Sequence, residues 1–251
     1  MLDLGGWFIP LNEATHVVDY MPYETRRGRL SLQPVPGERF SRSTWIQADF
    51  LKPDFRLPFA DGAFPFVHCG HTLEDLADPV PLLNEILRVS TAGCIRGPTR
   101  LTEQTRGVRD RKSSAPGHPH HHWMIDPTGD GLRFCSKADS LRSGDEGILM
   151  PLLHYERVAE RIGGLVAAEF IFQWKDKFDV EFVRGDRSAA IAREFARDQR
   201  VLDADRRWDP LIRRARALKH VIFQSPTALE APERWWAQML ELSRPYSLIP
   251  L

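Results

Sequence analysis

Four of the nine histidines fall within five positions, in Gly117-His118-Pro119-His120-His121-His122-Trp123. Imidazole ligates zinc, copper, iron and nickel, and it exchanges protons near neutral pH. In an extended segment alternate side chains share a face. That would project His120 and His122 together as candidate ligands for a divalent metal, with Glu103 or His71 as further candidates. A second use is catalytic. His71, His121 or His122 could take the proton from an O–H or N–H nucleophile. The bland alternative is a solvated polar loop with adventitious metal affinity.

Carboxylates supply a second constellation. Asp3 sits in the apolar run Leu2-Asp3-Leu4 and is followed by Gly5-Gly6. Asp19 closes His16-Val17-Val18, and Asp49 closes Trp45-Ile46-Gln47-Ala48. In an open parallel sheet, ligands bind outside the carboxyl ends of the strands. A glycine turn there admits a close backbone approach. An acid ending the second strand can accept hydrogen bonds from both hydroxyls of a ribose. Taken singly, each acid or glycine pair reads equally as a turn or cap.

These residues need elements to hold them. Strands are expected at 2–4, 16–19, 45–49 and 64–69, with Pro65 suited only to a strand's first residue. A helix is expected over about 79–89, because Leu82, Leu83, Ile86 and Leu87 share one face. Gly93 is a C-cap candidate for it, and Cys94-Ile95 opens the next strand. Residues 21–43 and 104–122 read as loops, and 132–135 as a short strand. Further along, 154–162 reads as helix, 165–174 and 178–183 as strands, and 186–220 as a charged helix. Short strands alternating with helices or loops predict an α/β fold with a mostly parallel, Rossmann-like sheet and flanking helices. The expected organisation is a cofactor-binding domain over 1–150, with a mixed strand and helix C-terminal extension over 151–251 packed on it.

Residues 1–101 resemble class I S-adenosylmethionine-dependent methyltransferases of the methyltransferase domain 11 type. The resemblance lies in Leu2-Asp3-Leu4-Gly5-Gly6, Val17-Val18-Asp19, Ala48-Asp49 and Leu57-Pro58-Phe59-Ala60-Asp61-Gly62-Ala63-Phe64. Its most specific part is His71-Thr72-Leu73-Glu74-Asp75-Leu76-Ala77-Asp78-Pro79, continued by Glu85-Ile86-Leu87-Arg88-Val89. The resemblance implies S-adenosylmethionine as cofactor and methyl transfer as activity. It further implies that Asp3, Gly5 and Gly6 face the amino-acid end of the cofactor, Asp19 the ribose, and Asp49 with Phe50 the adenine. His71 and Glu74 would then lie near the methyl donor. The family's later loop glycines are replaced here by Trp7, Phe8, Ile9 and Pro10.

Composition narrows the partners. Lys plus Arg equals Asp plus Glu at 34 each, so net charge offers nucleic acid or membrane no attraction. The arginines of 193–220 are interrupted by Glu194, Asp198, Asp203, Asp205 and Asp209, which reads as a solvated helix with local ion pairs. No apolar run nears the ~20 residues of a membrane span. Three scattered cysteines form no disulfide framework, so a cytoplasmic protein with reduced thiols is expected. Trp174, Trp208, Trp235 and Trp236 suit a pocket, a core or an interface, and the last would make a homodimer. A small molecule is the expected substrate. The alternatives are a metal-dependent enzyme that uses the 118–122 cluster on the same scaffold, and a non-catalytic binding protein.

Overall fold

The structure, a computed structural model, describes residues 1–29, 36–52, 54–109, 111–141 and 146–204. The elements, in order, are β1 (Leu2–Leu4), β2 (His16–Asp19), β3 (Trp45–Gln47), β4 (Val67–Gly70), α1 (Val80–Val89), β5 (Ala92–Pro98) and α2 (Arg100–Gln104). There follow β6 (Trp123–Thr128), β7 (Gly131–Ser136), α3 (Lys137–Leu141), α4 (Leu152–Ile162), α5 (Gly164–Ala168), β8 (Glu169–Lys175), β9 (Asp179–Val183) and α6 (Gly185–Ala204).

Six strands form the main sheet in the order β3-β2-β1-β4-β5-β8. The first five run parallel, and β8 lies antiparallel on β5. The chain builds outward from β1 to β3, then returns to start β4 on the other side of β1. That reversal is a topological switch point, the place where open parallel sheets bind ligands outside the carboxyl ends of their strands. A second sheet has the order β6-β7-β9, with β9 parallel to β7. Residues on both sides of position 150 therefore contribute to each sheet.

Alternation along the strands separates the cores. Val18 faces the main core with Leu2 and Leu4, while Val17 faces a smaller cluster of Leu11, Ala14, Phe40 and Trp45. Helix α1 seals the main core through Leu82, Leu83, Ile86 and Val89. Each such side chain contributes about 1.5–3 kcal/mol by leaving water. Strands β6 and β7 send Trp123, Ile125, Leu132 and Phe134 into this core, and Met124 and Cys135 away from it.

The motif Glu85-x-x-Arg88 proves to be a clamp. Glu85 accepts the Leu57 backbone N–H at 2.7 Å, and Arg88 donates to the Phe59 carbonyl at 2.7 Å, to the Leu57 carbonyl and to Asp61. One turn of α1 thereby fixes the Leu57–Gly62 turn that leads into β4. Helix α1 ends at Ser90, whose backbone is extended, rather than at a glycine cap. Gly93 instead lies inside β5, where a Cβ would collide with the Val67 carbonyl and the Trp174 indole.

Two further expectations are corrected. Within the expected loop 21–43, Tyr23–Arg29 forms a 3-10 helix. The strand expected from Leu165 begins only at Glu169, after the short helix α5. Of the charged helix expected over 186–220, α6 covers the part up to Ala204. Arg206, Arg207, Arg213, Arg214, Arg216, Trp208, Trp235 and Trp236 lie outside the described residues.

Candidate functional site at the carboxyl edge of the main sheet

Asp3 is fully buried on β1. Its Oδ1 lies 2.7 Å from His68 Nδ1 on β4, and its Oδ2 accepts the Leu11 N–H at 2.9 Å. It thus ties the two strands of the switch point to the loop beyond them. Gly5 follows with φ +75, in the left-handed region, and a Cβ there would overlap Thr72 Oγ1. A Cβ on Gly6 would overlap the Asp3 carboxylate. Packing within the chain therefore requires both glycines.

Asp19, almost fully buried, ends β2. Its Oδ2 accepts the Trp7 N–H at 2.9 Å and its Oδ1 the Met21 N–H at 2.7 Å. Burial raises its pKa above the ordinary carboxylate value, against the lowering effect of those two amide bonds. The Trp7 indole N–H donates to the Thr25 carbonyl at 2.8 Å, so the bulky residue of the former glycine loop packs across the β2 exit. Asp49, just past β3, accepts the Leu51 N–H at 3.0 Å. The Phe50 ring turns into the main core against Phe55, leaving Leu51 as the apolar side chain at the surface. Phe8, Ile9, Tyr20 and Leu51 are 55%, 58%, 62% and 57% exposed, and all lie on segments leaving β1, β2 and β3. All four leave the carboxyl ends of parallel strands, the edge at which open sheets of this kind bind ligands. Composition offered no signal for Tyr20 and Leu51, because exposure is decided by the fold.

On the β4 side, His71 has φ 51, an uncommon conformation for a non-glycine residue. This turns its ring between two carboxylates, with Nδ1 at 3.4 Å from Glu74 and Nε2 at 3.1 Å from Glu169. Glu169, the first residue of β8, also pairs with Arg96 of β5. Burial pushes the His71 pKa down, but the hydrogen bonds and charges of Glu169 and Glu74 outweigh it and raise it to about 9. His71 is therefore an imidazolium at neutral pH, suited to donate a hydrogen bond rather than to act as a base. Glu169 was out of reach of sequence reasoning, being 98 positions from His71 in the chain.

A pH titration of the His71 ring by NMR is expected to show a midpoint near 9, falling toward 6.5 in Glu169→Gln. Because the folded-state value exceeds the ordinary 6.5, this pairing stabilises the fold fully below pH 6.5 and fades as pH rises through about 9. A wild-type midpoint at or below 6.5 would contradict the arrangement.

The histidine cluster lies on a turn just before β6, so alternation along a strand does not apply to it. His118, His120 and His121 converge, their ligand atoms all within 4.8 Å of one another. His121 is buried and stacks on His118 at 4.6 Å between centroids. His121 Nδ1 is 2.8 Å from Glu103, a fully buried carboxylate of α2 that also pairs with Lys137. Asp75, in the 3-10 turn Leu73–Asp75, lies beside His120 and His121. Burial, with the neighbouring His121, lowers the His118 pKa to about 4. The His122 side chain is exposed, while its backbone N–H donates to the Glu74 carbonyl at 2.7 Å. That bond and the Trp123 indole bond to the Leu76 carbonyl, at 2.8 Å, hold the cluster against the turn leaving β4.

Residues 7–95 match the methyltransferase domain family. The chain is also similar to solved structures. A SAM dependent methyltransferase from Aquifex aeolicus shares 13% identity over 39% of this chain and 56% of that one, with a TM-score of 0.30. An S-adenosylmethionine dependent methyltransferase from Mesorhizobium loti shares 18% identity over 41% and 49%, with a TM-score of 0.31. The match spans about half the length of those two chains. No curated protein matches the chain.

The methyltransferase domain family implies S-adenosylmethionine as cofactor. The residues at the sheet edge fit it. Each Asp19 oxygen takes one backbone N–H, which leaves further lone pairs for hydroxyl donors. The exposed apolar side chains after β1, β2 and β3 suit an aromatic base. Among the described residues, no helix is long and apolar enough to cross a membrane.

Proposed function

We propose that this protein transfers a methyl group from S-adenosylmethionine to a small-molecule acceptor at the carboxyl edge of the main sheet. The observation that carries the reading is Asp19, placed at the end of β2 beside the switch point and flanked by an exposed apolar rim. Asp19 would hold the ribose hydroxyls, Asp49 an amino group of the base, and Tyr20 and Leu51 its faces. Asp3, Gly5 and Gly6 would shape the wall beside the amino-acid end. The cofactor supplies a methyl group already activated on a sulfonium, so the protein's part is alignment, exclusion of water and handling of the acceptor proton.

His71, held as a cation by Glu169 and Glu74, would donate a hydrogen bond to the acceptor or to a carboxylate. Of the candidate bases, His122, whose side chain is exposed, is the imidazole to which proton removal would fall.

Calorimetry with S-adenosylmethionine tests the reading. Wild type is expected to bind one equivalent, and Asp19→Ala to bind roughly tenfold to a hundredfold more weakly through loss of charge-assisted hydrogen bonds. Leu51→Asp alters only an exposed side chain and is expected to weaken binding while leaving the unfolding midpoint unchanged. Absence of wild-type binding, or equal affinity in all three proteins, would refute it.

A further inference from the structure

We propose that His118, His120, His121 and Asp75 form a binding site for a divalent transition-metal ion of the zinc class. The methyl-transfer reading does not require this site, and the site does not depend on that reading.

The donor set comes first. Three imidazoles and one carboxylate are what zinc takes, usually four at a time in a tetrahedron. Bonds of about 2.0–2.1 Å in a tetrahedron place neighbouring donor atoms about 3.3–3.4 Å apart. Asp75 Oδ1 lies 3.6 Å from His120 Nε2 and 3.5 Å from His121 Nε2. The ring nitrogens of His118, His120 and His121 are all within 4.8 Å of one another. An ion drawing these four groups together needs movements of an ångström or so, on side chains that are partly exposed at His120 and Asp75. That exposure is also the entry path from solvent.

The shell behind the donors is the second, independent observation. His121 Nδ1 faces the fully buried Glu103 at 2.8 Å, and Lys137 pairs with the other Glu103 oxygen. Lys137 also donates to the His118 carbonyl at 2.7 Å, which fixes the backbone of a second ligand. A histidine that donates one ring N–H to a carboxylate presents the lone pair of the other nitrogen outward, the usual arrangement behind metal-ligating imidazoles. In this protein Asp75 Oδ1 faces that second nitrogen at 3.5 Å, so with Nδ1 protonated toward Glu103 a lone pair and a carboxylate oxygen line the same gap, as two ligands of one cation would. The arrangement joins four separate stretches of chain: the turn after β4, helix α2, the loop before β6 and the start of α3.

The test is a zinc titration of untagged protein against a chromogenic chelator, with X-ray absorption on the loaded protein. The expected result is one equivalent bound, with a first shell of three imidazole nitrogens and one oxygen. His120→Ala and Asp75→Ala change exposed side chains, so folding is kept, and each is expected to weaken binding roughly tenfold or more. His122→Ala is expected to leave affinity within about twofold, since that ring lies outside the donor set. Glu103→Gln is expected to weaken it about tenfold to a hundredfold, acting through His121. Zinc affinity equal in wild type and in the His120→Ala, Asp75→Ala double variant would overturn the site. So would a shell holding fewer than two imidazoles.

Discussion

Glu103→Ala is expected to lose about 3–5 kcal/mol of stability, the range seen when one partner of a buried pair is removed. Glu103 is fully buried and serves two cations or donors at once, His121 and Lys137. Both of these are themselves buried, so neither can turn to water. The carboxylate's acidity reflects this: burial would raise its pKa, but His121 and Lys137 together bring it below the ordinary value. Chemical denaturation measures the loss. The mechanism is separable from simple truncation by a second substitution. If the cost is an uncompensated ammonium, adding Lys137→Met to Glu103→Ala should restore a large part of it, because an apolar side chain of similar length tolerates the buried site. Wild-type stability for the single variant, or no recovery in the double, would mean that the pair carries no such weight.

Gly5→Ala is expected to cost about 2–5 kcal/mol, the sum of left-handed strain and overpacking. The residue has φ +75, and its Cβ would overlap Thr72 Oγ1 on the other side of the switch point. The two contributions can be divided. In a Thr72→Gly background the Thr72 hydroxyl, methyl and Cβ that crowd the position all disappear, so the added cost of Gly5→Ala should fall toward the strain alone, about 1–2 kcal/mol. Unchanged unfolding of Gly5→Ala would show that the β1 exit relaxes without cost.

Much of the parallel core was legible along the chain. Leu2-Asp3-Leu4, Val17-Val18-Asp19 and Trp45-Ile46-Gln47-Ala48-Asp49 read as strands because short apolar runs stop at acids and turns, which is a local property; in the last, the strand itself ends at Gln47. Helix α1 read correctly because four apolar positions at helical spacing need only their own periodicity to declare a buried face. The end of α1 did not. Gly93 looks like a cap, and only the nearness of Val67 and Trp174 makes it a strand residue that must lack a side chain.

The candidate site divides in the same way. Asp19 and Asp49 were visible because a strand end is a sequence position. His71 was visible by its place after β4, but its charge was not, because Glu169 comes from the antiparallel strand β8. The histidine cluster shows the division most sharply. Its composition alone offered candidate proton carriers or metal ligands, beside the plain reading of a solvated loop. Reading it as a strand paired His120 with His122, whereas the turn turns His122 outward and brings His118, His120 and His121 together beside Asp75. Sequence determined which donors are available, since residue type sets the chemistry of each atom. Tertiary structure decided which donors meet, because Asp75, Glu103 and His121 approach only when the sheet order and the loop before β6 have been set by burial of the core.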